Sequence, residues 1–299
     1  MASVARSEDS SRPITGRGIV WCNPASGPSD TAVDELRARF PGHDVAECPP
    51  SDLRRRVRHA RAECRPFVGI AGGDGSIRTG AEELAHTETA LLVVPAGTHN
   101  HFAGALGIET LDDAAKAADR DGGEERRIDL GSVNGRSFVN NSSVGFYPGL
   151  VQQREWHRHT LPKPLATMLA GLRQLLSGRR IVVMLDRRPA VVWLVFVGNG
   201  CYGERIGDLT SRDCLDDGVL DVRIVRADRP FARLRLLSAL LLGRLARSAV
   251  VERRTCREIT IDIRDRGTVD VALDGEVVQL STPLRYESDP KALRVMVPK

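Results

Sequence analysis

The sequence lacks most of the features that assign a class at a glance. Its six cysteines (Cys22, Cys48, Cys64, Cys201, Cys214 and Cys256) are scattered, and no two form a Cys-x-x-Cys pair. That spacing argues against a zinc site, and the chain length of 299 residues argues against a disulfide framework. Free thiols in a reducing cytoplasm are the expectation. No stretch is long and apolar enough to span a bilayer. Met1 to Pro13 is polar, without the apolar run of a secretory signal, and reads as a disordered tail. The formal net charge of +4 is too small to call for a nucleic-acid partner. A Walker A loop is missing, since no Gly-Lys-Ser/Thr follows a glycine-rich turn, and so is the G-x-G-x-x-G dinucleotide fingerprint. No internal repeat is evident.

What is present is the balance of a globular protein, 41% hydrophobic and 27% charged. The first part alternates strand and helix. Gly18 to Cys22, His43 to Cys48, Phe67 to Ala71 and Ala90 to Pro95 read as strands. Thr31 to Phe40, a basic segment from an N-capping Ser51 to Glu63, the stretch after Ser76 through Leu84, Asn100 to Leu106 and Leu111 to Arg120 read as helices. Near-continuous apolar strands separated by helices predict a parallel sheet covered on both faces, a Rossmann-like, doubly wound α/β domain. Such sheets bind ligands at the C-terminal ends of their strands. Three polar or glycine-rich loops fall there: Asn23 to Gly27, Gly72 to Ser76, and Gly97 to Asn100.

After Asp121-Gly122-Gly123 the pattern changes to alternating, strand-like segments: Arg126 to Val133, Ser137 to Val144, Ile181 to Asp186, Ala190 to Val197, Val219 to Val225, Ile259 to Ile263, Val269 to Leu273 and Leu293 to Val297. Helices are expected at Lys163 to Leu176 and Pro230 to Arg247. The expected division is a tail over 1–16, an α/β nucleotide-binding domain over 17–125, and a β-rich, sandwich-like domain over 126–299. The helix at Pro230 to Arg247 is leucine-rich and carries Arg233, Arg235, Arg244 and Arg247. It can lie on an anionic membrane or cover the β domain with its arginines outward; the core-facing reading is preferred.

Gly72-Gly73-Asp74-Gly75-Ser76 is the sharpest chemical signal. Glycines let the backbone approach phosphate oxygens, and the following helix start turns N–H groups and a favourable dipole toward an anion. An aspartate in such a loop needs another task, either holding Mg²⁺ or taking a proton from an attacking hydroxyl.

Gly-Gly-Asp-Gly loops recur in NAD kinases, phosphofructokinases and diacylglycerol/sphingosine kinases, and the surrounding motifs discriminate. Asn23-Pro24-Ala25-Ser26-Gly27, Pro95-Ala96-Gly97-Thr98-His99-Asn100-His101-Phe102-Ala103, Leu106-Gly107-Ile108, Ile128-Asp129-Leu130-Gly131, Asp216-Asp217-Gly218-Val219-Leu220-Asp221-Val222 and Asp274-Gly275-Glu276 stand in the order seen in diacylglycerol kinase catalytic domains. The chain resembles that family from Ile19 to Pro298. The resemblance implies an ATP-dependent, Mg²⁺-requiring kinase that phosphorylates a lipid hydroxyl, with ATP and substrate meeting between two domains. It implies a nucleotide site of Asn23, Ser26, Gly27, Gly72, Gly73, Gly75, Ser76, Gly97, Thr98 and Asn100. Asp74 and Glu276 are the catalytic candidates, with Glu276 preferred as base and Asp74 on the metal. Asp129 and Asp217 are further metal candidates. The family's Asn-Asp-Phe-Ala aspartate is His101 here, and Cys214 stands where a second acidic residue can accompany Asp217. The implied partners are ATP and a lipid at the membrane surface, reached by a cytoplasmic, peripheral protein; a homodimer is left open. Two alternatives remain: a kinase of a soluble substrate, or a degenerate nucleotide-binding regulator.

Overall fold

A computed structural model describes residues 16–23, 33–97, 100–145, 180–203, 212, 214–241 and 248–299. The chain forms two compact units. The first comprises residues 1–127 and 293–299, and the second residues 128–292.

In the first unit, the elements run β1 (Ile19–Cys22), α1 (Val33–Arg39), β2 (Asp44–Glu47), α2 (Pro50–Ala62), β3 (Phe67–Gly72), α3 (Asp74–Leu84), β4 (Ala90–Pro95), α4 (His101–Ala105) and α5 (Leu111–Ala118). The strands are parallel in the order β2-β1-β3-β4. β3 and β4 are buried almost throughout because helices cover the sheet, which explains why their sequences are unbroken apolar runs. The doubly wound α/β reading of this part holds. One helix start differs from expectation. Ser51 lies inside α2, whose cap is Pro49, with no side-chain cap bond and with Pro50 at the first helical position. Proline suits that position because its φ is already helical and no amide hydrogen is needed there.

α2 and α3 pack together, and their contact is ionic as well as apolar. Arg58 donates to both oxygens of the buried Glu83 (2.6 and 3.1 Å), Arg54 donates to Glu83 and to Glu82 (2.6 Å to the latter), and Arg61 reaches the Glu83 carbonyl at 3.3 Å. Glu82 and Glu83 sit in the last turn of α3, where the helix dipole disfavours negative charge. The arginines of α2 offset that penalty. The basic character of α2 is therefore a clamp on α3.

The second unit contains the rest of β5 (Gly123–Val133), then β6 (Arg136–Phe138), β7 (Asn141–Gly145), β8 (Ile181–Leu185), β9 (Arg188–Asn199), β10 (Leu220–Arg226), α6 (Ala232–Leu241), β11 (Val251–Cys256), β12 (Glu258–Ile263), β13 (Thr268–Leu273), β14 (Glu276–Ser281) and most of β15 (Leu284–Pro298). Antiparallel pairings build this unit, among them β13 with β14 and β7, β9 with β7, β8 and β10, and β12 with β8 and β15. One apolar core joins Val195, Val197, Leu220, Val222, Ile261, Val271 and Tyr286. This is the β-rich, sandwich-like architecture expected.

Three features of the second part differ from expectation. Ser137 to Val144 forms two strands, because the backbone at Val139, Asn140 and Asn141 turns its N–H groups onto one carboxylate, that of Asp274. Strands β11 and β14 are additional. The terminal residues 293–299, expected in the second domain, belong to the first unit: Val295 pairs in parallel with Leu91 of β4, and the Lys299 amide donates to the Gly122 carbonyl at 2.9 Å. The first division falls at 127/128 rather than 125/126. Residues 1–15 of the expected tail over 1–16, and the expected helix from Lys163 to Leu176, lie outside the described residues.

Burial alone would raise the pKa of Glu83, but the hydrogen bonds and charges of Arg58 and Arg54 outweigh it and hold the carboxyl below the usual value. A depressed carboxylate pKa contributes stability above its unfolded pKa and loses it as pH falls through the folded one. Glu83→Gln should therefore cost about 1–2 kcal/mol at pH 7, the half-exposed guanidiniums tempering the loss. The difference from wild type in urea unfolding should shrink below about pH 4. A pH-independent difference would assign the effect to packing.

Candidate active site

The three strand-end loops of the first unit are brought side by side by the strand order. Cys22 registers with Ala71, and Gly72 with Pro95. The Asn23 amide donates to the Ala71 carbonyl at 3.0 Å, so the end of β1 is tied to the end of β3. The β3 and β4 loops then touch. A Cβ built on Gly97 would lie 2.9 Å from the Cα of Gly73 and 3.0 Å from Asn100 Oδ1. Real Cβ atoms do not approach backbone that closely, so glycine at 97 is what lets the two loops close on each other. Asn100 fixes the second loop: its side chain turns back to accept the Gly97 amide at 2.9 Å, while its carbonyl accepts the Gly104 amide of α4 at 3.0 Å.

Gly73 is a different case. Its φ of −78° and ψ of 173° suit any residue, and a Cβ there would meet nothing within 4 Å. Among the described residues, nothing requires glycine at 73. The open space sits directly before α3, whose own ladder starts with the Ser76 and Ile77 amides on the Gly73 carbonyl (2.9 and 3.2 Å). The amides of Asp74 and Gly75 precede that ladder, at the positive end of the helix dipole. Asp74 is the first residue of α3 and is half-buried; Gly75 and Ser76 follow in the same turn. Asn23, Gly72, Gly73, Asp74, Gly75, Ser76, Gly97 and Asn100 thus gather on one end of one sheet. His101 is the first residue of α4, also half-buried. Ser26, Gly27 and Thr98 lie outside the described residues, as do His99 and the segment with Trp156, His157 and His159.

The remaining candidates are in the second unit. Asp129 is wholly buried. One carboxylate oxygen accepts the Gly218 amide at 2.6 Å, and the other accepts the Lys291 amide at 2.7 Å. Burial pushes its carboxyl above the usual range. The two amides pull it down, and the charges of Asp217 and Asp216 push it up again. Asp129 therefore binds the 215–218 loop to the kink at 291. Asp217 is exposed on that loop and takes a hydrogen bond from the Cys201 thiol. Burial, with help from that bond and charge, lifts the thiol to a pKa of about 11, which keeps Cys201 protonated and unreactive at neutral pH. Cys214 is exposed.

Asp274 and Gly275 form the two-residue turn between β13 and β14, with φ of 48° and 88°; positive φ at both positions is the tight hairpin geometry that Asp-Gly favours. The Asp274 carboxylate accepts three amides, from Val139 (2.9 Å), Asn140 (2.7 Å) and Asn141 (3.0 Å). Glu276 opens β14 opposite Leu273 and is exposed. The sequence motifs gave no warning of two structural carboxylates. Asp274 is one. The other is Asp221, fully buried between Arg223 (2.8 Å) and Arg253 (3.0 Å), whose guanidiniums also donate to the Tyr202 carbonyl. An arginine two residues away on the same strand was the available hint.

Among the described residues, no group of three or more His, Cys, Asp and Glu side chains is arranged to hold a metal ion. A nucleotide's Mg²⁺ needs no such cage, since it is held by one or two carboxylates together with phosphates and water. The open space before α3 and the adjacent Asp74 fit that arrangement.

Residues 17–133 match the diacylglycerol kinase catalytic domain family, and residues 147–297 match the YegS C-terminal NAD kinase beta sandwich-like domain family. A probable lipid kinase YegS-like of Pseudomonas fluorescens is 31% identical over 261 residues, covering 83% of each chain. One of Pseudomonas aeruginosa is 32% identical over 260 residues, covering 83% of this chain and 82% of the relative. A diacylglycerol kinase of Bacillus subtilis is 29% identical, covering 75% and 76%. Among solved structures, a putative diacylglycerol kinase from Bacillus anthracis superposes with a TM-score of 0.72 at 21% identity, over 94% of this chain and 97% of that one, a likeness of fold. The two domain matches in this order and the near full-length relatives place the chain in the family of diacylglycerol kinases and YegS-like lipid kinases.

Proposed function

We propose that the chain transfers the γ-phosphoryl group of ATP to a hydroxyl of a diacylglycerol-like lipid. Membership of a kinase family makes it a phosphotransferase. The lipid acceptor is carried over from relatives named as lipid kinases and diacylglycerol kinase. One observation supports ATP at the strand ends above the others: Gly73, which no contact among the described residues requires to be glycine, borders open space at the start of α3. Phosphate oxygens are what bare backbone and a helix start accommodate best.

In this reading the amides of the Gly72–Ser76 turn face the phosphates. Asn23, Gly97 and Asn100 shape the floor, and the assignment to the nucleotide carries with it Ser26, Gly27 and Thr98. Asp74, in the first turn of α3, faces the terminal phosphate and is the carboxylate for Mg²⁺. Bound Mg²⁺ supplies neutralisation of charge on the phosphate oxygens. Glu276, exposed at a hairpin, is assigned to take the proton from the acceptor hydroxyl. Asp217 is assigned a second metal position, with buried Asp129 adding negative charge beneath its loop. Phosphoryl transfer depends mainly on positioning and charge neutralisation, so this set of parts is sufficient.

The test is incubation of the purified chain with labelled ATP, Mg²⁺ and a lipid panel. Lipid phosphate should form, and Asp74→Ala and Glu276→Gln should each lower turnover by about 10²–10⁴-fold. ATP binding without phosphorylation of any acceptor would overturn the enzymatic reading.

The two glycines should separate by readout. Gly73→Ala should keep its thermal midpoint within a few degrees yet raise KM for ATP by about tenfold or more, because the methyl enters space meant for the ligand. Gly97→Ala should destabilise by about 1–3 kcal/mol and lose nucleotide binding as well, because its methyl meets backbone. Equal effects of both on stability would remove the distinction.

A further inference from the structure

The outward face of α6 is neither a normal core face nor a normal solvated one. The helix packs Ala232, Leu236 and Ala239 inward, with Trp193, Ala227 and Val250 among its apolar neighbours. On the other side Phe231 is 78% exposed and Leu234 65% exposed, the two most exposed large apolar side chains among the described residues. Both stand at the start of the helix, Phe231 immediately before it and Leu234 in its first turn. Arg229, Arg233 and Arg235 around them are exposed, and none makes an ion pair among the described residues. The acids closest to them in sequence and strand pairing, Asp228 and Glu252, are already held by Arg226 at 2.6 and 3.2 Å. The face is therefore apolar at its centre and positively charged at its rim.

Phe231 is also held in an unusual backbone state. Its φ is 53°, in the left-handed region that bulky residues seldom occupy, and its carbonyl accepts the Arg235 amide at the helix start (3.0 Å). Such a conformation persists only where the surroundings enforce it. Here it accompanies an aromatic ring left in water.

We propose that Phe231 and Leu234, ringed by Arg229, Arg233 and Arg235, dock the protein on an anionic lipid bilayer. The two apolar side chains enter the boundary between headgroups and acyl chains, and the guanidiniums lie against lipid phosphates. Size and charge favour a bilayer over a protein. Two side chains fall far short of the area of about 1,200 Å² that a stable protein interface buries. A lipid surface needs no complementary shape and supplies the negative charge the arginines lack. The surface would bring a lipid kinase to its substrate, but it stands on this unit's own side chains and does not require that activity.

The test is co-sedimentation of the full chain with vesicles of phosphatidylcholine alone and of phosphatidylcholine with phosphatidylglycerol. The chain should bind the anionic vesicles and only weakly the neutral ones. Phe231→Ser with Leu234→Ser should lower the partition coefficient by about tenfold per side chain. Arg233→Gln with Arg235→Gln should lower it by about fivefold per charge and erase the preference for phosphatidylglycerol. Thermal midpoints, and phosphorylation of a short-chain, water-soluble diacylglycerol, should not change. Phe231→Trp should add a vesicle-dependent blue shift in fluorescence that the native chain lacks. Failure of the native chain to bind, binding undiminished in the serine variant, or a change of oligomeric state in that variant overturns the docking surface. Vesicle binding without phosphorylation of the soluble diacylglycerol leaves the docking surface standing and sinks the kinase reading instead.

Discussion

The geometry of the candidate nucleotide site depends on one backbone-to-backbone approach, that of Gly97 to Gly73. Two parallel strands end side by side whatever follows them, but side chains on their loops would hold the loops apart. Removing the Cβ at 97 lets the second loop lean onto the first, and the Asn100 side chain then locks it there through the Gly97 amide. What remains at the contact is a patch of bare peptide before the positive end of α3. A sheet end of this kind suits an anion for electrostatic reasons alone.

The same helix is stabilised at its other end by charge. α3 ends with Glu82 and Glu83, which its own dipole disfavours, and the arginines of α2 make those acids an anchor. A helix held at its C-terminal turn by ion pairs and at its N-terminal turn by the β3 loop has little freedom to tilt. Positioning of the loop amides is thus shared between an apolar sheet, a glycine contact and an ionic clamp more than one helical turn away. Phosphoryl transfer, which rests on positioning, draws on all three.

Legibility in the sequence followed burial. β1, β3 and β4 are runs that stay apolar because both faces are covered, and they were readable together with the loops that end them. α2 was readable as a helix but not in its start, because Pro50 at the first position competes with the serine signal one residue later. The split of Ser137 to Val144 into two strands was not readable. Its cause is a carboxylate 133 to 135 residues away in the chain. The return of 293–299 to the first unit was hidden for the same reason, since a short apolar strand carries no mark of which sheet it joins. The pattern of α6 predicts a core-facing helix with arginines outward, which is half of what its exposure shows. Phe231 and Leu234 count as core residues in any pattern, and only accessibility reveals them on the outside.

The acidic residues of the motifs show where sequence resemblance stops short of role. Asp129, Asp221 and Asp274 all sit beside motif glycines or apolar strand residues, as Asp74 and Glu276 do. Yet Asp129 and Asp221 are wholly buried, and Asp274 holds three amides at a strand break. Each ties distant backbone or arginine to one point, a task that needs a carboxylate but no access to solvent. Proton transfer to a substrate hydroxyl, or metal binding shared with a nucleotide, needs the opposite: an oxygen that an incoming molecule can reach. Half-buried Asp74 and exposed Glu276 meet that requirement and the wholly buried pair does not. Burial therefore sets Asp129 and Asp221 apart as parts of the scaffold, and the three amides on half-buried Asp274 do the same for it, a division that spacing alone could not make.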